Sequence, residues 1–141
     1  MMEARSLNDL PVERLVRLYD DMLLIRRFEE RAAELRQAGF IPYIGQEAVA
    51  VGVCAALGPE DVITSTHRGH GHMLARGADP SRMYAELYAR RDGYNRAKGG
   101  SLHMIDTDFG FLGANGIVGG GIPLATGAAL QLKLRGSQGV A

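Results

Sequence analysis

Residues 110–130 read GFLGANGIVGGGIPLATGAAL and hold seven of the chain's 19 glycines: Gly110, Gly113, Gly116, Gly119, Gly120, Gly121 and Gly127. Glycine serves where the backbone needs φ > 0 or where another group must approach the main chain closely. Its density around Ile117 and Val118, read here as a buried pair, predicts a main-chain binding surface that runs into a helix. Pro123 suits the first turn of that helix, and Leu124, Ala125, Ala128, Ala129 and Leu132 give it an apolar face at 3–4 spacing. The same composition also fits a tight loop entering a small-residue helix, with no ligand at all. No G-x-G-x-x-G follows a strand, and G-x-x-x-x-G-K-[ST] does not occur, so the standard dinucleotide and phosphate-loop fingerprints are absent.

The chain of 141 residues is long enough for one domain with a real core. Its formal net charge of zero argues against nucleic acid or an anionic membrane surface as a partner. A single cysteine, Cys54, excludes an internal disulfide and fits a reducing compartment. The first ten residues have no apolar core of the signal-peptide kind, and the longest apolar run (residues 48–57) is far short of the ~20 needed to span a bilayer. The expectation is a soluble, cytoplasmic protein.

Outward from the glycine-rich stretch, helical periodicity dominates. Asn8 or Asp9 with Pro11 predicts a helix start, and Leu15, Leu18, Met22, Ile25, Phe28, Ala32 and Leu35 mark its apolar stripe. Arg14, Arg17, Asp21, Glu29, Glu30, Arg31 and Arg36 read as its solvated faces, and Gly39 as its stop. GQEAVAVGVCAAL (residues 45–57) predicts a second helix, apolar on most sides and therefore buried, with Gly52 marking a close backbone approach. Residues 62–66 (VITST) predict a short β-branched strand. Ala78-Asp79-Pro80 opens a further amphipathic helix that extends to Arg91, and residues 92–110 lack periodicity and read as a long functional loop.

Three loops carry groups suited to chemistry: residues 67–72, 98–103 and 113–121. His67, His70 and His72 could ligate zinc, could bond to loop backbone, or could serve as acid/base or substrate-binding groups, since imidazole titrates near neutrality. The glycines between them argue against a rigid helical presentation. Arg68 is the strongest candidate ligand for an anion, because guanidinium binds phosphate oxygens in pairs.

GQEAVAVG (45–52), STHRGHGH (65–72), KGGSLH (98–103) and GANGIVGGGIPLATGAAL (113–130) resemble the alpha subunit of thiamine-diphosphate-dependent 2-oxo acid dehydrogenases. The likeness runs from about Leu10 onward and is nearest to the pyruvate and acetoin types. It implies an α/β thiamine-diphosphate-binding fold, an open and mostly parallel sheet flanked by helices, here truncated and helix-rich. Residues 1–141 would form the N-terminal part of a single such domain. It further implies that His67 and Arg68 lie beside the cofactor, with Arg68 holding the diphosphate, and that His70 is placed near the reacting carbon, making His70 and His67 the catalytic candidates. Gly116 and Val118 would grip the aminopyrimidine ring through a main-chain carbonyl and amide, with Ile117 between them also counted as cofactor-binding. The implied reaction cleaves a 2-oxo acid or acetoin and passes the acyl unit to a lipoyl group. The implied partners are a beta subunit, in an alpha/beta heterotetramer, and a lipoyl acyltransferase.

Two departures qualify the resemblance. Ile41, followed by Pro42, stands where many members have histidine, which bears on substrate choice. The Gly-Asp-Gly motif and following asparagine that hold magnesium do not occur, so the metal's ligands are expected beyond these residues. The chain alone is accordingly expected to be inactive and prone to associate through the faces of residues 45–57 and 122–134. The alternative is a fragment that acts only as an assembly or interaction module.

Overall fold

The computed structural model describes residues 10–34 and 40–141. Helix α1 covers Val12–Glu34; the proposed caps Asn8 and Asp9, and Leu35, Arg36 and Gly39, lie outside the described residues. Its buried positions are Ile25, Phe28, Glu29 and Ala32, all in the C-terminal half, while Val12, Val16 and Tyr19 remain exposed. Glu29 is therefore not part of a solvated face: it is completely buried. Periodicity alone could not reveal this, because a carboxylate is assigned to water unless its partners are known.

Helix α2 spans Glu47–Cys54 and is tied to α1 by Arg26, whose Nε donates to Glu47 Oε1 at 2.7 Å. The second helix is only half-buried. Ala50, Val51 and Cys54 face α1 and the helix at residues 70–75, whereas Val49 and Val53 are about half exposed. Nothing in the chain approaches Gly52, so the close contact expected there is absent among the described residues. Burial pushes the Cys54 thiol up to about 11, leaving it a neutral core group.

Strand β1 (Ile63–Thr66) leads into α3 (His70–Ala75) and α4 (Pro80–Leu87) before the chain returns as β2 (Phe111–Asn115). The strands pair in parallel, with Ile63 opposite Phe111, Ser65 opposite Ala114 and Thr66 opposite Asn115, and one irregularity between. The protein is thus α/β and helix-rich, with a two-stranded parallel sheet. Phe111 is completely buried in the core with Met73, Met83 and Ile25; burying a side chain of this size contributes roughly 1.5–3 kcal/mol. Gly71 is required on α3 because a Cβ there would overlap the ring of buried Tyr43.

Asp79 caps α4 as expected, its Oδ1 accepting from the Ser81 amide at 2.8 Å with Pro80 following. The helix stops at Leu87, not Arg91, because Ala89 takes the left-handed conformation (φ 53°) and Arg90 N–H donates back to the Ala85 carbonyl at 2.8 Å. Arg76 ties three segments together through the carbonyls of Gly58, Asp61 and Phe109. Helix α5 (Gly121–Leu134) lies on β1 yet buries none of its residues; Ile122, Leu124, Leu130 and Leu134 are all more than half exposed.

Candidate functional site

Beyond the C-terminal ends of β1 and β2 opens a cleft of about 450 Å³, lined by Thr64, Ser65, Thr66 and His67 on one side and by Asn115, Ile117, Val118 and Gly119 on the other. The carboxyl ends of parallel strands are where open α/β sheets place their ligands. Thr64 Oγ1 donates to the Gly121 carbonyl at 3.3 Å, which brings the first turn of α5 against β1.

The loop after β2 is held from its own start. Asn115 Oδ1 accepts from the Ile117 amide at 2.8 Å, and the Ile117 carbonyl accepts from Gly120 N–H at 2.9 Å. Both main-chain groups of Ile117 are thereby used internally. The Gly116 carbonyl and the Val118 amide have no hydrogen-bond partner among the described residues. The side chains of Ile117 and Val118 are 74% and 98% exposed, so the pair is not buried as expected. The turn aims them at the open cleft, and nothing else among the described residues covers them.

The STHRGHGH segment separates its four functional side chains. His67 lines the cleft. Arg68 follows β1, its amide donating to Thr66 Oγ1 at 3.3 Å and its guanidinium to the Pro42 carbonyl, so it lies beside the cleft and outside its lining. His70 opens α3 and is only 1% exposed, behind the cleft and not in it. Its ring stacks on Phe40 at 5.0 Å, and Nε2 sits 3.0 Å from the Ser101 carbonyl and 3.2 Å from Ser101 Oγ. Nδ1 stands 3.0 Å from Glu29 Oε1, within ion-pair range but not aligned as a hydrogen bond. The other oxygen of Glu29 accepts from the Tyr43 amide at 2.9 Å.

His72 turns the opposite way. Its Nδ1 is 3.0 Å from Ser65 Oγ, its ring meets Tyr43 edge-on, and burial lowers its pKa. The glycines did not prevent a helix: His70, Gly71 and His72 form the first turn of α3. A helical start sends the three imidazoles in different directions, and among the described residues no group of three or more His, Cys, Asp or Glu could hold a metal ion.

Glu29, Ser101 and Asn115 were not singled out from the sequence. Asn115 carried a usable signal, since Asn two residues before a backbone amide commonly accepts from it in a turn. Glu29 and Ser101 carried none, because their partners lie far away in the chain.

The family model for the dehydrogenase E1 component matches residues 19–141. The alpha subunit of acetoin:2,6-dichlorophenolindophenol oxidoreductase from Bacillus subtilis is 50% identical over 136 residues, covering 93% of this chain and 41% of that protein. The pyruvate dehydrogenase E1 component subunit alpha of Zymomonas mobilis is 50% identical over 133 residues, covering 90% of this chain and 38% of its own length. The mitochondrial counterpart from Pisum sativum is 43% identical over 135 residues, 92% of this chain and 34% of the relative. The chain spans well under half the length of each of these relatives. With a cleft at the strand ends and a family match over most of its residues, the chain belongs to the dehydrogenase E1 component family.

Proposed function

We propose that these residues build the cofactor cradle of the alpha subunit of a thiamine-diphosphate-dependent dehydrogenase acting on a pyruvate-like 2-oxo acid or on acetoin. The observation that carries this reading is the pinned turn after β2. Its Gly116 carbonyl and Val118 amide stand free, two residues apart, at the rim of a largely apolar cleft. One acceptor and one donor fixed in this way suit a flat heterocycle with an exocyclic amine and a ring nitrogen, which is what an aminopyrimidine presents. The residues present therefore fit the group. When bound, thiamine diphosphate supplies an acidic ring carbon and an electron sink for breaking the bond beside a substrate carbonyl.

In this reading Gly116, Ile117 and Val118 orient the cofactor ring, and the exposed side chains of Ile117 and Val118 exclude water from it. His67 lies on the cleft wall, where it can exchange a proton with a bound group. Arg68 carries positive charge next to the strand end, and a diphosphate would compete with the Pro42 carbonyl for its guanidinium. His70 handles protons only where the Ser101 contact at Nε2 gives way. Magnesium, its ligands supplied from outside these residues, would neutralise the diphosphate. The complete enzyme would act in the cytoplasm, assemble with a beta subunit over the exposed side of α5, and pass its acyl unit to the lipoyl group of an acyltransferase. Among the described residues no helix is long and apolar enough to cross a membrane.

The uncovered apolar side of α5 also favours a second reading, an assembly module without activity of its own. Titrating thiamine diphosphate and magnesium into a complete alpha chain assembled with its beta subunit separates the two. Binding by the assembly, weakened about 10- to 150-fold by Arg68→Ala for a charge-assisted contact of roughly 1.5–3 kcal/mol, supports the enzyme reading. An assembly that binds no cofactor overturns it, and unchanged affinity in the variant removes Arg68 from the site.

A further inference from the structure

Glu86 belongs to none of the motifs discussed so far, yet it organises more main chain than any of them. It projects from α4, is 1% exposed, and pairs with no cation among the described residues. Its Oε2 accepts from the amides of Asn95 (2.8 Å) and Ala97 (3.0 Å), and its Oε1 from those of Gly99 (2.8 Å) and Gly100 (3.1 Å). Burial raises the carboxyl's pKa, but the four amides more than offset this and hold it below the ordinary value, so the group is an anion. Arg96 and Ala97 adopt φ of 54° and 69°, conformations that side chains disfavour, and they do so where the amides converge. Gly93 lies so close that a Cβ would meet the carboxylate and the backbone of Glu86. Successive amides turned toward one point form an anion-binding nest, and here the anion is built into the protein.

The wrapped segment runs on to His70, behind the cleft, and to the turn after β2. Ser101, next in the chain after Gly100, places its carbonyl and hydroxyl on His70 Nε2. The His103 ring stands 3.7 Å from where a side chain on Gly116 would begin. The Met104 carbonyl then accepts from the Ala114 amide at 3.0 Å, fixing the segment to β2.

We propose that Glu86 is a positioning residue of the cofactor site, its carboxylate acting as the template around which residues 93–103 fold so that Ser101 meets His70 and His103 meets Gly116. What the site binds rests on the thiamine reading above; the templating itself does not.

Glu86→Ala would leave a cavity lined by four amide donors and sized for a small carboxylate, so formate is the probe. In the 141-residue chain, millimolar formate should slow hydrogen exchange at Asn95, Ala97, Gly99 and Gly100 of the variant, while chloride should not. In the assembled enzyme with a complete alpha chain, the variant should lose turnover about 10- to 100-fold, the size of loss that follows a misplacement of about 1 Å at a catalytic group, with formate restoring much of it. Glu86→Gln fills the cavity but turns an NH₂ toward amide donors; it should lose turnover with no response to formate, and it tests the idea if the alanine variant does not fold. Either variant folded with wild-type turnover, or no formate effect on the four amides, overturns the proposal. A wild-type assembly that binds no thiamine diphosphate overturns the reading of the site instead, and the exchange experiment then decides the template independently.

Discussion

Asn115→Ala isolates how far the candidate cofactor loop is shaped in advance. The substitution removes one acceptor, Oδ1, from the Ile117 amide 2.8 Å away, on a residue that is only half-buried. A neutral hydrogen bond of this kind contributes about 0.5–1.5 kcal/mol net, which corresponds to about a 2- to 13-fold change in the ratio of pinned to open turn. Amide exchange at Ile117 in the isolated chain should accelerate by that factor. If only the pinned turn presents the Gly116 carbonyl and Val118 amide together, the apparent Kd for thiamine diphosphate in the assembled enzyme rises by no more than the same factor. The melting temperature should fall by no more than a few degrees, because no core group is disturbed. Unchanged exchange at Ile117 would refute the reasoning, since the turn would then hold itself through the Gly120 to Ile117 bond alone. A hundredfold loss of affinity would refute it differently, showing direct contact between Asn115 and the ligand.

His70→Ala should lower turnover in the assembled enzyme about 10²- to 10⁴-fold with cofactor affinity nearly intact if the imidazole moves protons. A large fall in melting temperature with turnover preserved would make it instead a structural tie between α1 and residue 101. For His72, burial holds the folded-state pKa below the ordinary ~6.5, so the unfolded chain binds the proton first. Its contribution to stability is therefore complete above about pH 6.5 and is lost as pH falls below that value toward the depressed folded pKa; His72→Gln should flatten the melting-temperature profile in that window. Phe111→Ala, at a position with no exposure, should cost about 3–5 kcal/mol in urea denaturation; a loss below 1 kcal/mol would mean the core collapses around the gap.

Helices α1, α2, α4 and α5 were legible because their signals are local. The apolar spacing of α1 and the Asp79-Pro80 start of α4 each depend on residues within a turn or two of one another. β1 was legible from its β-branched run, but β2 was missed, because Phe111–Asn115 contains Gly113 and reads as more of the glycine-rich loop. Only the pairing with Ile63–Thr66 makes it a strand. Within the site, His67 and the 116–118 turn were candidates from the sequence, and His67, Ile117 and Val118 line the cleft. The direction each histidine takes was not recognisable, since it is set by where α3 begins. Glu29 and Glu86 illustrate the deeper limit. A buried carboxylate is identified by the amides it satisfies, and those lie at Tyr43 for one and at Asn95 to Gly100 for the other. In the sequence both look like surface charges.

The parallel pairing of β1 with β2 has a kinetic side. Every residue of α3, α4 and the Glu86-centred segment lies between the two strands, so the walls of the cleft meet only when that whole stretch has closed on itself. Helices relax in about 0.1–1 μs, whereas non-local pairing must first overcome the entropy of loop closure. The binding cleft should accordingly be among the last features to mature as the chain folds. Pulse-labelled exchange during refolding should show α1 and α4 protected while the Ile63 amide, which donates to the Gly110 carbonyl at 2.8 Å, still exchanges freely. A chain emerging from the ribosome would hold His67 and Gly116 apart until β2 is available, so ligand binding would report completed folding and could not guide its early steps.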